Sequence, residues 1–289
     1  MLRPTASALS RSGWVSLSPR TFRAAVCAAA LVAWASVDTV SAQEAIKVGG
    51  TGGAVRSIEI LAEAFKKAPN HSRVEILARL GNRGGMTALL AGALDIAVSA
   101  QLVTPAQSEQ GLRGVELGRT PFVFATSSTN PVAGFTLPEL VNIYDGKTLN
   151  WPDGSRLRLI LRPAGDSDSD SLKGMGREME RALNSAHGRA GLKMAATDQD
   201  SAEAIAAIPG ALGTSTLALI LSERRPLKAL SINGIPPSPR AIADGSYPYF
   251  KTFYLVTRRT PSPPAKRFLE FVGSAPGREI LSRLGYWVR

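Results

Sequence analysis

The sequence predicts an α/β fold in which the chain leaves one domain, builds a second and returns. Three observations lead there. Short strand-like runs alternate with amphipathic helical stretches. A unit of strand, glycine-rich turn and helix occurs twice between residues 46 and 93. An apolar strand over 121–125, bounded by a Ser/Thr/Asn/Pro loop, marks a crossing outward, and a later strand over 251–257 offers the way back.

The chain has 289 residues, with 34 Lys and Arg against 23 Asp and Glu, a balance of +11. Its first forty residues read as an address. Arg3, Arg11, Arg20 and Arg23 precede or open an apolar run over 24–37, and Val40, Ser41 and Ala42 offer a small-residue exit. That pattern is a secretory signal over 1–42, and it implies a periplasmic protein. The run of 14 residues is short of the about 20 that a spanning helix needs. No Arg-Arg pair marks a twin-arginine route. Cys27 precedes most of the apolar run rather than following it, which argues against a lipid anchor. Cleavage after Ala42 would remove four arginines and Asp38, lowering the +11 by three, and would remove the single cysteine. A cysteine-free chain suits an oxidising compartment.

After Ala42 the elements follow in order. A strand over 46–48 leads into Gly49-Gly50-Thr51-Gly52-Gly53 and a helix whose Ile58, Leu61, Ala62 and Phe65 share one face. A strand over 74–77 leads into Gly81-Asn82-Arg83-Gly84-Gly85 and a helix expected to bury Met86, Leu89, Leu90 and Ala93. A strand over 95–99 follows. Thr136, Pro138 and Glu139 form a capping box for a helix that stops near Gly146. Further on come a strand over 157–161, a helix over 169–186, and a helix over 201–208 ended by Pro209-Gly210. A strand within 211–221 and helices around 264–272 and 276–284 complete the pattern.

The positive balance points to an anionic partner. Both glycine loops open helices, whose free N–H groups and dipole hold small anions. Arg83 lies in one loop and Arg56 follows the other. Neither loop is a P-loop, and both also read as tight strand–helix turns. A third candidate runs from Arg162 through Asp166, Ser167 and Asp168. Arg162 offers a planar fork for an oxyanion, and the aspartates suit a helix cap. The run also resembles the opening of a calcium loop but lacks its closing glutamate, so no metal and no cofactor are expected. His71 and His187 sit in no recognisable catalytic setting, and HExxH, CxxC and GxSxG are missing from the sequence. The expectation is therefore a binding protein rather than an enzyme. Scattered basic residues and 6% aromatics argue against nucleic acid as a partner.

The chain resembles the periplasmic phosphate-binding proteins of ABC transporters, a type II solute-binding family. The residues that carry the likeness are Gly50 to Ala54 with the following Leu61-Ala62-Glu63-Ala64-Phe65, and Gly81 to Gly85 running on to Ser99. Leu140 to Lys147 with Asn150-Trp151, Ile208 to Gly213, and Phe268 to Val272 with Leu284-Gly285-Tyr286 extend it. The resemblance implies a two-lobed fold with a cleft between two α/β domains joined by two crossover strands. Lobe I would comprise 43–123 plus 252–289, and lobe II 124–251. It implies a monomer that delivers a small oxyanion, phosphate in the first place, to a permease. The implied ligand residues are Thr51, Gly53, Ala54, Asn82, Arg83, Ser99, Arg162, Asp166 and Ser167.

Three departures from the family pattern bear on the ligand. Ala100 stands where members usually carry an aspartate, Asn82 replaces a serine, and Asp166-Ser167-Asp168 replaces Ser-Gly-Thr. Either Asp166 supplies the missing acceptor, or the ligand is another anion or a zwitterion. A third reading has Asp166 and Asp168 capping the helix and facing solvent. The alternative role is an exported anion-binding module in sensing or assembly, without a transporter.

Overall fold

The computed structural model describes residues 45–69, 71–77 and 80–289; the expected signal over 1–42 and Cys27 lie outside them. In chain order come β1 (Ile46–Gly50), α1 (Gly52–Phe65), β2 (Val74–Leu77), α2 (Gly81–Leu90), β3 (Ile96–Ser99), α3 (Pro105–Glu109) and β4 (Leu112–Ser127). Next are β5 (Gly134–Phe135), α4 (Leu137–Asp145), β6 (Arg158–Leu161), α5 (Ser167–Lys173), α6 (Arg177–Gly188), β7 (Lys193–Met194) and α7 (Asp198–Ala207). Then follow β8 (Ala211–Thr216), α8 (Leu217–Ser222), β9 (Leu227–Ala229), β10 (Ser231–Ile232), α9 (Pro239–Ala243) and β11 (Phe250–Arg258). Helices α10 (Pro263–Gly273) and α11 (Ala275–Arg283) come last. Among the described residues no helix is long and apolar enough to cross a membrane.

The main sheet has the order β2-β1-β3-β11-β4-β8-β6-β7, with β9 also on β4. Strand β4 carries the chain across it. Its first part, Leu112 to Pro121, pairs antiparallel with β11, and Phe122 to Ala125 pair antiparallel with β8. Strand β11 brings the chain back and lies antiparallel on β3. The crossing pair carries a bulge, where Phe253 faces Gly118 and Tyr254 faces Glu116. Leu117 is the extra residue and Gly118 beside it has φ 154°; such a bulge bends the strand and adds twist.

Strand β4 is far longer than the run read from the sequence. Its first half shows little apolar signal because Arg113, Gly114, Val115 and Glu116 are exposed. Pairing with β11, not burial, makes those residues a strand.

Two large apolar clusters flank the crossing. One gathers Ile46, Val48, Ile58, Leu61, Phe65, Val98, Phe253 and Phe268. The other gathers Phe122, Phe124, Leu140, Tyr144, Trp151, Leu183 and Tyr247. The predicted apolar face of α1 is buried throughout, at about 1.5–3 kcal/mol for each large side chain. Ala218 of α8 joins the first cluster, although it follows the outward crossing in sequence. Its N–H donates to Thr120 Oγ1 at 3.0 Å, which ties α8 to the crossing strand.

The Thr136 capping box forms as expected: Glu139 N–H donates to Thr136 Oγ1, and the Glu139 carboxylate accepts from Thr136 N–H. Gly146 closes α4 in the left-handed conformation. Two expectations need correction. The single helix over 169–186 is two helices, α5 and α6, broken at 174–176. Gly176 has φ 130°, which no helix interior accepts, and two glycines in three residues weaken the helix further. In the second unit α2 ends at Leu90, and Gly92 turns the chain at φ 76°. Leu90 and Ala93 are therefore exposed, and Leu94 takes the buried place.

Candidate functional site

Strand directions define where a ligand site can lie. Strands β1 and β3 are parallel, and Ser99 at the end of β3 is level with Tyr254 and, through it, with Glu116. Strands β6 and β8 run in the opposite sense, and Thr216 at the end of β8 is level with Phe122. The carboxyl ends of both sets thus face each other across the crossing strands. Open α/β sheets bind ligands at such ends.

The first glycine segment builds one wall. Gly50 has φ 143°, and a β-carbon there would lie 2.0 Å from Val98 O. A β-carbon on Gly85 would lie 2.8 Å from Gly50 Cα. These two glycines therefore let β3 and α2 pack directly on the end of β1. The segment 81–85 is also not a loop ahead of the helix but its first half. Thr51 is the N-cap residue of α1, and its N–H donates to Val98 O at 2.9 Å. Its hydroxyl makes no cap bond, so the first-turn N–H groups around Gly53 and Ala54 have no side-chain acceptor from the cap.

The neighbouring residues are held by local bonds. Asn82 Oδ1 accepts from Ala100 N–H at 2.8 Å, which leaves its amide NH₂ for other partners. Ser99 Oγ donates to Gln101 O at 2.8 Å and accepts from Gln101 N–H, closing a turn at the end of β3. Arg83 is exposed.

Arg162, buried at the end of β6, does not present a free fork. Its Nε and Nη2 donate to the two oxygens of Asp166 at 3.2 and 2.8 Å, and Nη1 donates to Ala195 O at 3.0 Å. Asp166 also accepts from Asp168 N–H at 2.9 Å as the N-cap of α5. The fork expected for a ligand is thus closed on a carboxylate four residues along the same loop. The Arg162 carbonyl is itself held by His187 Nε2 at 2.9 Å.

Asp168 does not face solvent, contrary to one of the sequence readings. It is buried, forms a close ion pair with Lys251 on β11, and accepts from Thr214 Oγ1 at 2.6 Å. Lys251 Nζ also donates to Ser167 Oγ at 2.9 Å. Burial works against the charge on Asp168, but Lys251, Arg162 and the hydrogen bonds from Lys251 and Thr214 outweigh it. Its carboxyl is held below the ordinary value. Burial likewise works against the charge on Lys251, and Asp168 and Asp198 reverse it, raising the ammonium above its ordinary value.

Asp198, in the first turn of α7, completes the group. Its Oδ1 lies 3.7 Å from Arg162 Nη2. A β-carbon on Gly52 or Gly53 would come within 3.2 or 3.6 Å of its Oδ2. Gln199 Nε2 donates to Gly52 O at 3.0 Å, so the starts of α7 and α1 touch. Burial, and then the Asp168 charge, push the Asp198 carboxyl up to about 6, against the pull of Lys251 and Arg162. Among the described residues no group of three or more His, Cys, Asp or Glu is arranged to hold a metal.

The structure therefore brings Gly53, Arg162, Asp166 and Ser167 into one neighbourhood with Lys251, Asp168, Thr214 and Asp198. Sequence reasoning missed Lys251, Thr214 and Asp198. Lys251 had a signal, a lysine one residue inside a crossing strand rich in apolar and aromatic residues. Asp198 had none, since an aspartate in a first helical turn is ordinary.

A family model described as a PBP superfamily domain matches residues 37–276. The chain belongs to the PBP superfamily. Among relatives of this PBP-superfamily chain is a phosphate-binding protein, PstS, of Bacillus subtilis strain 168. It is 26% identical over 242 residues, covering 78% of this chain and 75% of its own. The PstS phosphate-binding protein of Borreliella burgdorferi is 22% identical, covering 84% and 91%. The crystal structure of a putative phosphate ABC transporter substrate-binding protein with bound phosphate, from Clostridium perfringens, superposes with a TM-score of 0.70. It is 20% identical and covers 84% of this chain and 98% of that one. That likeness establishes the fold expected above, two α/β lobes joined by two crossing strands.

Proposed function

We propose that this PBP-superfamily chain captures a small oxyanion, phosphate in the first place, and delivers it to the permease of an ABC transporter. Lobe I would be 43–123 plus 252–289, lobe II 124–251, and the ligand would lie between them. The observation that carries this reading is the uncapped start of α1, which lies against Asp198 and, through it, beside the buried cations Arg162 and Lys251. The phosphate-binding relatives support the choice of ligand. The first-turn N–H groups at Gly53 and Ala54 and the Thr51 hydroxyl would donate to the anion. Asn82 would donate through its amide, Ser167 through its N–H, and Arg162 through the N–H groups that Asp166 and Ala195 leave over. Ser99 would shape the end of β3, and Arg83 would add charge from the rim. Capture without turnover, in the periplasm and as a monomer, completes the proposal.

Calorimetric titration of the ligand-stripped protein with phosphate, sulfate, molybdate and small organic acids tests it. Saturable heat with phosphate at one site per chain is expected. Saturation by another ligand but not by phosphate would overturn the choice of phosphate. Silence with all of them would overturn anion capture altogether.

A further inference from the structure

The charges around the start of α1 do not balance. Two cations, Arg162 and Lys251, face three carboxylates, Asp166, Asp168 and Asp198. Asp166 is matched with Arg162 in a two-pronged pair, and Asp168 with Lys251. Asp198 is the surplus charge. Its nearest cation is Arg162 at 3.7 Å, already committed to Asp166, and its side chain is only 18% exposed. One of its oxygens lies against Gly52 and Gly53, where the dipole of α1 attracts an anion. Asp198 therefore places its own negative charge beside the spot that an incoming oxyanion needs.

We propose that Asp198 takes up a proton from solvent when an oxyanion is captured at the start of α1, so that anion binding is coupled to protonation of this one carboxyl. The proposal rests on the anion-capture reading above. The proton comes from water or buffer, and the neutral carboxyl then donates its O–H to the anion. Arg162, Lys251, Asp166 and Asp168 sum to zero once Asp198 is neutral, so the ligand no longer enters a cluster of its own sign.

The charged groups that face Asp198 come from several elements, and Arg162 and Lys251 among them oppose its protonation. Arg162 comes from the end of β6, Asp166 and Asp168 from the start of α5, and Lys251 from β11. The start of α1 brings backbone groups at Gly52 and Gly53, while its Arg56 and Glu59 pair with each other at 2.8 Å. Glu223, the C-cap residue of α8, is held by Gln199 at 2.9 Å and by Arg225 at 2.7 Å. Burial and the like charge of Asp168 already raise the Asp198 carboxyl to about 6 in the free protein. A second like charge within about 4–6 Å raises a carboxyl further. At pH 7 a group titrating near 6 is mostly ionised, so the proton has to be taken up on binding.

The test is phosphate titration by calorimetry at pH 7 in buffers of different ionisation enthalpy, on the native chain and on Asp198→Asn. The two proteins can bind different protonation states of phosphate, so the difference is assigned to Asp198 only where the ¹³C shift of its carboxyl in the native chain moves to the protonated position on adding phosphate. Native uptake exceeding that of the variant by a large fraction of one proton per phosphate is expected. Equal counts would overturn the proposal and leave phosphate capture standing. Should the variant fail to bind, the ¹³C shift of the Asp198 carboxyl in the native chain at pH 7 decides. A move to the protonated position on adding phosphate supports the proposal, and an unmoved signal refutes it. Binding of no oxyanion by the native chain would overturn both readings.

Discussion

Replacing Lys251 by Met should expose how much the buried pair with Asp168 holds the crossing strand to α5. The side chains of Lys251 and Asp168 are 6% and 3% exposed, so neither charge can turn to water. Removing one partner of a buried pair costs about 3–5 kcal/mol, mostly because the other charge is stranded. Asp168 would keep its bond from Thr214 and the nearby charge of Arg162. The lower end, about 3 kcal/mol, is therefore expected at pH 7. For a chain of this size that is roughly 6–12 °C in Tm.

The pH dependence has a definite sign. In the native chain the Asp168 carboxyl is held below its ordinary value, so its contribution is present above that value and fades as pH falls through the lowered one. In Lys251→Met the influence left dominant is burial, which raises the carboxyl, so the variant regains stability as acid protonates Asp168. The gap between the two proteins should thus close towards pH 4 and widen towards pH 8. Adding Asp168→Asn to the variant should recover most of the loss, since no charge is then stranded. Urea unfolding across that pH range measures it. A loss below about 1 kcal/mol at pH 7, or one that does not change with pH, would refute the reasoning.

Two further predictions concern the scaffold. Gly85→Ala should cost about 1–3 kcal/mol, because its β-carbon would sit 2.8 Å from Gly50 Cα. Gly84→Ala, whose nearest neighbour is Leu80 Cβ at 3.4 Å, should be neutral or stabilising by up to about 1 kcal/mol. Thermal unfolding of the pair checks both, and equal losses would show that close packing is not what Gly85 serves. Thr136→Ala should cost about 1 kcal/mol by removing the cap of α4, and an unchanged midpoint in urea would contradict that.

Much of the fold was legible locally. The α1 face, the Thr136 box and the strand–glycine–helix units depend on contacts within a few residues, and sequence periodicity and capping chemistry report such contacts directly. The long first half of β4 was not legible, because its exposed residues carry no apolar pattern and only β11 makes it a strand. The break at Gly174 and Gly176 was written in the sequence, but the polar, helix-favouring residues on either side masked it.

The candidate site divides along the same line. The glycine segments, the Thr51 cap position and the Arg162-to-Asp168 loop were all readable as helix starts beside an arginine. What each side chain does there was not. Arg162 closes on Asp166, Asp168 turns inward to Lys251 across 83 residues of chain, and Asp198 reaches the start of α1 from another helix. Sequence by itself determined that an α/β chain presents helix starts and a buried-type arginine suited to an anion. Only the tertiary structure decided how the charges pair. Ion pairing depends on distances and desolvation between segments far apart in the chain, and residue order encodes neither.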